Sequence, residues 1–233
     1  MKVAESNWMQ IEEYLKSDDR CVVPLGSTEQ HCHLSLATDS ILSERVALEA
    51  AAPLGIPVFP AVPYGLAHHW MAFPGTVTLS METYLGVIRD ILDSLAQAGF
   101  RRILMVNGHG GNMPAANYAR QWLAAHPEVR ILFHNWYAAP KFAAAIREID
   151  KVASHASWLE NFAWNRVAGA ETPEGAKDLV DMARLQSLDP AAIRRIAGDG
   201  NMGGRYERPD SEMDAVWAVG VAETRELLTE GWP

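Results

Sequence analysis

The segment GSTEQHCHLSLATD, residues 26–39, brings Glu29, His31, His33 and Asp39 close together along the chain. Carboxylate oxygen and imidazole nitrogen form a borderline-hard donor set suited to Zn²⁺, Mn²⁺ or a similar divalent ion. A carboxylate such as Asp39 can bridge two ions, and a pair of metals ~3.5–4 Å apart is a general device for activating water. The plainer alternative is a polar loop whose acid caps the next helix, since Asp39 directly precedes SILSERV. NGHGGNMP, residues 107–114, is a second loaded stretch. As a dinucleotide fingerprint it fails: the third glycine of GxGxxG is missing, and His109 sits where a pyrophosphate has to approach. Its glycines instead permit a tight turn that projects His109, a candidate ligand, although a lone histidine is more often structural.

Two further segments carry histidines. PYGLAHHWMAFPGTVTL, residues 63–79, contains His68, His69 and Trp70, and adjacent side chains on an extended chain point to opposite sides, so at most one histidine faces a pocket. SHASWLENFAWN, residues 154–165, contains His155 and Glu160, which on a helix lie on neighbouring faces and are not stacked.

The elements that position these groups alternate. Apolar runs at 20–25, 57–62, 101–107 and 130–136 read as strands; helical patterns cover 39–52, 80–98, 113–125, 140–149, 156–167 and 210–228. Ser80 suits a helix start and Gly99 a stop. The Gly-rich stretch 198–209 reads as a loop. This alternation implies an α/β fold, a mostly parallel β-sheet flanked by helices on both faces. Ligand sites in such sheets form outside the carboxyl ends of the strands, so the segments following Leu25, Val62, Asn107 and Asn135 are the ones to read for chemistry.

The 233 residues are enough for one domain spanning 1–233, and 48% hydrophobic content provides a sizeable core. A net charge of -9 without clustered Lys/Arg argues against nucleic acid as partner. With no apolar leader at residues 1–14 and no long apolar run, the expectation is a cytoplasmic chain without membrane partners. Cys21 reads as a small buried hydrophobe; Cys32 stands between two histidines, a more chemical setting.

Together these segments resemble the creatininase family over nearly the whole chain. The family pattern GSTEQHGPHLPLxTD is matched at 26–39, NGHGGN is identical at 107–112, FPGT is matched at 73–76, and DLVDM at 178–182 is a weaker likeness. The resemblance implies a creatininase-like α/β/α sandwich and Glu29, His31, Asp39 and His109 as metal ligands. The chain also departs from the pattern. His31-Cys32-His33 is one residue shorter than the usual His-Gly-Pro-His, and the stretch at His68–Trp70 is one residue longer than the commoner form. Gly111 stands where creatininase carries a ligand glutamate. The family's HAGExET aligns with 155–161, keeping His155 and Glu160 but putting Trp158 at the first glutamate, so Glu160 becomes the fifth ligand.

The implied enzyme is a metal-dependent hydrolase holding two divalent ions per chain, Zn²⁺ or Mn²⁺ with Fe²⁺ as a further candidate. It cleaves a non-peptide C–N bond of a small, cyclic amide and assembles as a homo-oligomer, often a hexamer in the family. His155 is the expected proton shuttle, with Glu160 beside it in the catalytic set. His33, His69, Trp70 and Trp158 are expected around the substrate, with Trp136 a further wall; core packing is the plain alternative for the tryptophans. A lactonase, deformylase or small peptidase would use the same metals. A family member that binds metal or a small molecule without turnover is the reading from another class.

Overall fold

The computed structural model describes residues 1–232. Along the chain run α1 (Trp8–Tyr14), β1 (Arg20–Leu25), α2 (Thr38–Ala51), α3 (Met81–Ala98), β2 (Arg102–Asn107), α4 (Pro114–Leu123), β3 (Arg130–Asn135) and α5 (Pro140–Ile149). They are followed by β4 (Ala176–Lys177), α6 (Met182–Leu185), α7 (Pro190–Ala197), β5 (Gly204–Arg205) and α8 (Asp210–Glu230).

β1 pairs in parallel with β2, and β2 with β3. The first two strands are almost wholly apolar because helices cover both faces. Cys21, Val23, Leu25, Ile103 and Met105 pack on the layer of α1, α3 and α4, while Val22, Leu104 and Val106 pack on α2, α5 and α8. Alternate side chains of one strand thus enter opposite cores. At its N-terminus α3 is capped by Ser80 Oγ, which accepts from Thr83 N–H at 3.2 Å, and it ends at Gly99 in the left-handed region, φ 110°.

Residues 57–62, expected as a strand, run beside β1 without becoming one. Val58 and Val62 make isolated parallel bridges to Val22 and Leu25, but Pro57, Pro60 and Pro63 have no amide hydrogen for a continuous ladder. This placement sets the site. The chain leaves β1 through α2 to one side, then returns through α3 to β2 on the other. The order reverses between β1 and β2, and their carboxyl ends form the crevice where ligands bind in such sheets. The segments following Leu25 and Asn107 both emerge there.

The C-terminal part departs most from expectation. No α-helix forms over 156–167, only a 3₁₀ turn at Trp158–Glu160. Side chains take the backbone's hydrogen bonds instead: Asn165 accepts from Phe162 N–H at 2.9 Å and donates to Glu160 O at 2.7 Å. The stretch 198–209 is not a bare loop, since β5 pairs antiparallel with β4 and Asn201, Met202 and Gly203 are buried. Two short helices, α6 and α7, escape the sequence reading although Asp181 and Asp189 cap them and Pro190 opens the second. Among the described residues no helix is long and apolar enough to cross a membrane.

Candidate metal centre

The centre forms where the first turn of α2 meets the loop leaving β2. A Cβ on Gly108 would stand 2.5 Å from the Asp39 carbonyl oxygen, so only glycine allows this approach. It sets Asp39 between two imidazoles: Oδ1 is 3.1 Å from His31 Nε2, and Oδ2 is 3.1 Å from His109 Nδ1. Glu29 Oε1 lies 3.2 Å from His109 Nδ1, and Glu160 Oε2 lies 3.7 Å from His31 Nε2. Two ligand groups result, Glu29–Asp39–His109 and His31–Asp39–Glu160, each with donor atoms within 4.8 Å of one another. Asp39 belongs to both, with one oxygen toward each, which is the arrangement of a bridging carboxylate. Glu29, His31 and His155 form a third close group.

The surroundings orient these rings. His31 Nδ1 lies 3.1 Å from the Glu29 carbonyl, and His109 Nε2 lies 3.2 Å from the Leu66 carbonyl. A carbonyl only accepts, so each of those nitrogens carries a hydrogen, and the opposite nitrogen, which faces the carboxylates, is the one that would bind a cation once its own proton is lost. Gly111 makes room for His109, because a Cβ there would overlap both His109 Nε2 and the Leu66 carbonyl oxygen. With this backbone position 111 supplies no ligand, whereas Glu160 comes close to His31 from the other side. The asparagines of NGHGGN tie the loops together: Asn112 Nδ2 donates to Gly26 O at 3.0 Å, and Asn107 Nδ2 donates to His109 O at 2.7 Å. Among the described residues, both non-glycine positions held at positive φ flank this centre: Cys32 (φ 53°) follows His31, and Ala156 (φ 59°) donates its N–H to Glu160 Oε2 at 2.6 Å.

The electrostatics favour a cation. Glu29, His31, Asp39, His109 and Glu160 are all buried, and Glu29 Oε2 and Asp39 Oδ2 lack an aligned hydrogen-bond donor. Burial alone would lower His31, but the Asp39 and Glu160 carboxylates outweigh it and lift the ring to about 10. His109 is raised in the same way, against its burial, by Glu29 and Asp39. Burial pushes Glu160 up to about 7, with His31 opposing and Asp39 adding. The site therefore gathers protons around crowded carboxylates, and a divalent ion would take their place while meeting the orphaned oxygens. The donor set fits Zn²⁺ or Mn²⁺.

Above the carboxylates opens a cavity of about 520 Å³, lined in part by His69, Trp70, Tyr137, His155, Leu185 and Gln186. His155 stacks on Trp70 with ring centroids 4.9 Å apart and an 11° tilt, and its Nδ1 is 3.8 Å from Glu160 Oε2. Burial, then the neighbouring His31, pushes His155 down to about 3, so near neutral pH this ring is uncharged. Gln30, absent from the sequence reading, braces it: Gln30 Nε2 lies 2.9 Å from His155 Nε2 and donates to Gly200 O at 3.2 Å. Of the adjacent histidines His69 lines the cavity and His68 faces solvent; both lie within a 3₁₀ turn and not on an extended chain.

Other expected contacts lie elsewhere. His33 is not in the cavity wall; it packs edge-on to Tyr206 at 6.2 Å, with Nε2 3.3 Å from Asn161 Nδ2. Trp158 is fully buried in the core beside α2, α5 and α8, and its Nε1–H donates to Asp150 Oδ2 at 2.9 Å. Without a helix over 156–167, its side chain turns inward. Trp136 also lies in that core, 5.0 Å from Phe142. Trp158→Ala is accordingly expected to lower stability by about 3–5 kcal/mol, read from urea unfolding, while Trp158→Phe leaves KM near wild type. A raised KM with unaltered stability would return the residue to the cavity wall. The sequence reading also missed Tyr137 and the wall formed by α6 and α7. Tyr137's place just beyond the carboxyl end of β3 was the available signal, as the Asp181 and Asp189 caps were for the helices.

The family model Creatininase, described as creatinine amidohydrolase, matches residues 4–231. The chain is 34% identical over 118 residues to creatinine amidohydrolase from Pseudomonas putida, covering 47% of this chain and 45% of that protein. It is 31% identical over 134 residues to 3-dehydro-scyllo-inosose hydrolase from Thermotoga maritima, covering 56% and 43%. It is 37% identical over 109 residues to mycofactocin precursor peptide peptidase from Mycobacterium tuberculosis, covering 42% and 43%. The chain thus spans less than half the length of these curated relatives. The crystal structure of creatinine amidohydrolase (creatininase) superimposes with a TM-score of 0.79 at 22% identity, covering 100% of this chain and 98% of that one. A mutant creatininase of Zn-Zn type gives 0.80 at 21%, covering 100% and 98%. These superpositions establish the fold.

Proposed function

Because the chain belongs to the creatininase family, we propose that it is a two-metal amidohydrolase acting on a non-peptide C–N bond of a small, cyclic amide. The observation that carries this reading is the sharing of Asp39 between two ligand groups. Glu29, Asp39 and His109 would hold one ion; His31, Asp39 and Glu160 would hold the other. When bound, such a pair acidifies a water and polarises the substrate carbonyl.

The chain's own residues do the rest. His155, uncharged and stacked on Trp70, accepts a proton at Nδ1 as water attacks and returns it to the leaving nitrogen. Trp70 and Gln30 keep that ring in place, and Leu185 and Ile193 give the cavity an apolar side that limits water. His69 is the polar group placed to orient the substrate. The family also supports a homo-oligomer. Exposed apolar side chains available for such contacts include Trp8 and Met9 of α1, whereas α5 and α8 bury Phe142, Ile146, Met213 and Trp217.

Relatives named for creatinine, an inosose and a peptide share this family, so the cavity wall selects the substrate more than the metals do. The altered lengths at His31–His33 and His68–Trp70 lead us to expect poor turnover of creatinine. Zinc- and manganese-loaded protein assayed on cyclic amides, imides, lactones, formamides and dipeptides tests the reading. The expected result is turnover concentrated in the cyclic amides and imides. Creatinine turnover in the ordinary enzyme range of ~1–10³ s⁻¹ would contradict the specificity, and metal-loaded protein inert on every class would leave a binding protein.

A further inference from the structure

Tyr137 reaches the cavity from the 3₁₀ turn Trp136–Ala138, which directly follows β3. Its hydroxyl makes no hydrogen bond with any described residue, unlike Tyr14, which donates to Arg20 O at 2.9 Å, and Tyr206, which donates to Asp199 Oδ2 at 2.7 Å. Nor is it sealed in the core, as the unpartnered hydroxyl of Tyr84 is. The Tyr137 oxygen stands 3.6 Å from the point a Cβ would occupy at Gly110, next to the ligand His109. Behind it Trp136 packs against Phe142 and Trp217, so the turn has a rigid backing.

We propose that Tyr137 is a catalytic hydrogen-bond donor, its Oη–H pointing at the carbonyl oxygen of the bound amide. As water adds to the carbonyl carbon, that oxygen gains negative charge. The phenol donates to it and keeps its own proton. A fixed donor in a confined cleft stabilises this charge more than it stabilises the neutral carbonyl, so it lowers the barrier more than it tightens binding. The role rests on the hydrolytic reading, whereas the placement rests on the cavity alone.

Tyr137→Phe removes the hydroxyl and leaves the ring. Calorimetric titration of zinc-loaded wild-type protein and of the variant with methylphosphonate, a tetrahedral anion, reads the donor without catalysis. The variant is expected to bind methylphosphonate roughly 10- to 100-fold more weakly, the range for a hydrogen bond to a charged group, with unchanged zinc content and thermal midpoint. On any substrate found in the panel, kcat is expected to fall about 10²-fold with KM little altered. Equal methylphosphonate affinity in both proteins, or no binding by wild type, overturns the proposal. Tyr137-dependent binding in a protein without turnover supports the donor and contradicts the hydrolytic reading, so the two failures are told apart.

Discussion

Replacing His31 and Asp39 together by alanine is expected to remove both ions and to lower hydrolytic activity by at least ~10³-fold, since the metals supply several kcal/mol of barrier lowering. Asp39 contributes an oxygen to each ligand group and His31 a nitrogen to one, so neither group keeps a full set. The rival view of Asp39 as a helix cap makes a different forecast: about 1 kcal/mol of lost stability and intact metal. The structure already disfavours that view. The N-cap of α2 is Ala37 without a capping side chain, and the Asp39 oxygens face His31 and His109. Elemental analysis of the purified variant, with circular dichroism to confirm folding, decides between them. A chelator applied to wild-type protein should reproduce the loss, and added Zn²⁺ or Mn²⁺ should reverse it.

The second large effect separates Glu160 from His155, which lie 3.8 Å apart but are assigned different work. Glu160→Gln keeps the shape and takes a negative charge from the group that also contains His31 and Asp39. The second ion should weaken, and activity should recover at high metal concentration. His155→Asn should retain its metal and lose roughly 10²–10⁴ in kcat, the scale of lost acid–base help. Metal titrations on both variants measure this. If His155→Asn loses metal and Glu160→Gln holds it, the assignments are reversed, and the close grouping of His155 with Glu29 and His31 would then mark a ligand set.

Much of the frame that holds these residues was legible in the chain. The apolar run ending at Leu25, the Ser80 cap and the Gly99 stop declare their elements locally, because propensity, capping and burial agree there. The proximity of the proposed ligands has a related cause: Glu29 and His31 lie in the loop running into the first turn of α2, which carries Asp39, and His109 follows a strand end that topology places beside it. What stayed hidden depends on backbone hydrogen bonding and side-chain contacts that hydrophobic periodicity does not register. Prolines at 57, 60 and 63 strip hydrogen bonds from a segment whose hydrophobicity still reads as strand. Asn165 diverts the 156–167 backbone from a helix, which sends Trp158 into the core while Glu160 reaches His31. The bracing of His155 by Gln30 and Gly200 joins segments far apart along the chain, and no local pattern announces it.

The central claim is that one carboxylate, Asp39, bridges two metal ions. Anomalous diffraction at the zinc absorption edge, from crystals of the zinc-loaded protein, tests it most directly. Two peaks per chain are expected, one among Glu29, Asp39 and His109 and one among His31, Asp39 and Glu160, separated by ~3.5–4 Å. No peak at Asp39, or a single peak with Asp39 bound through one oxygen only, would contradict the account.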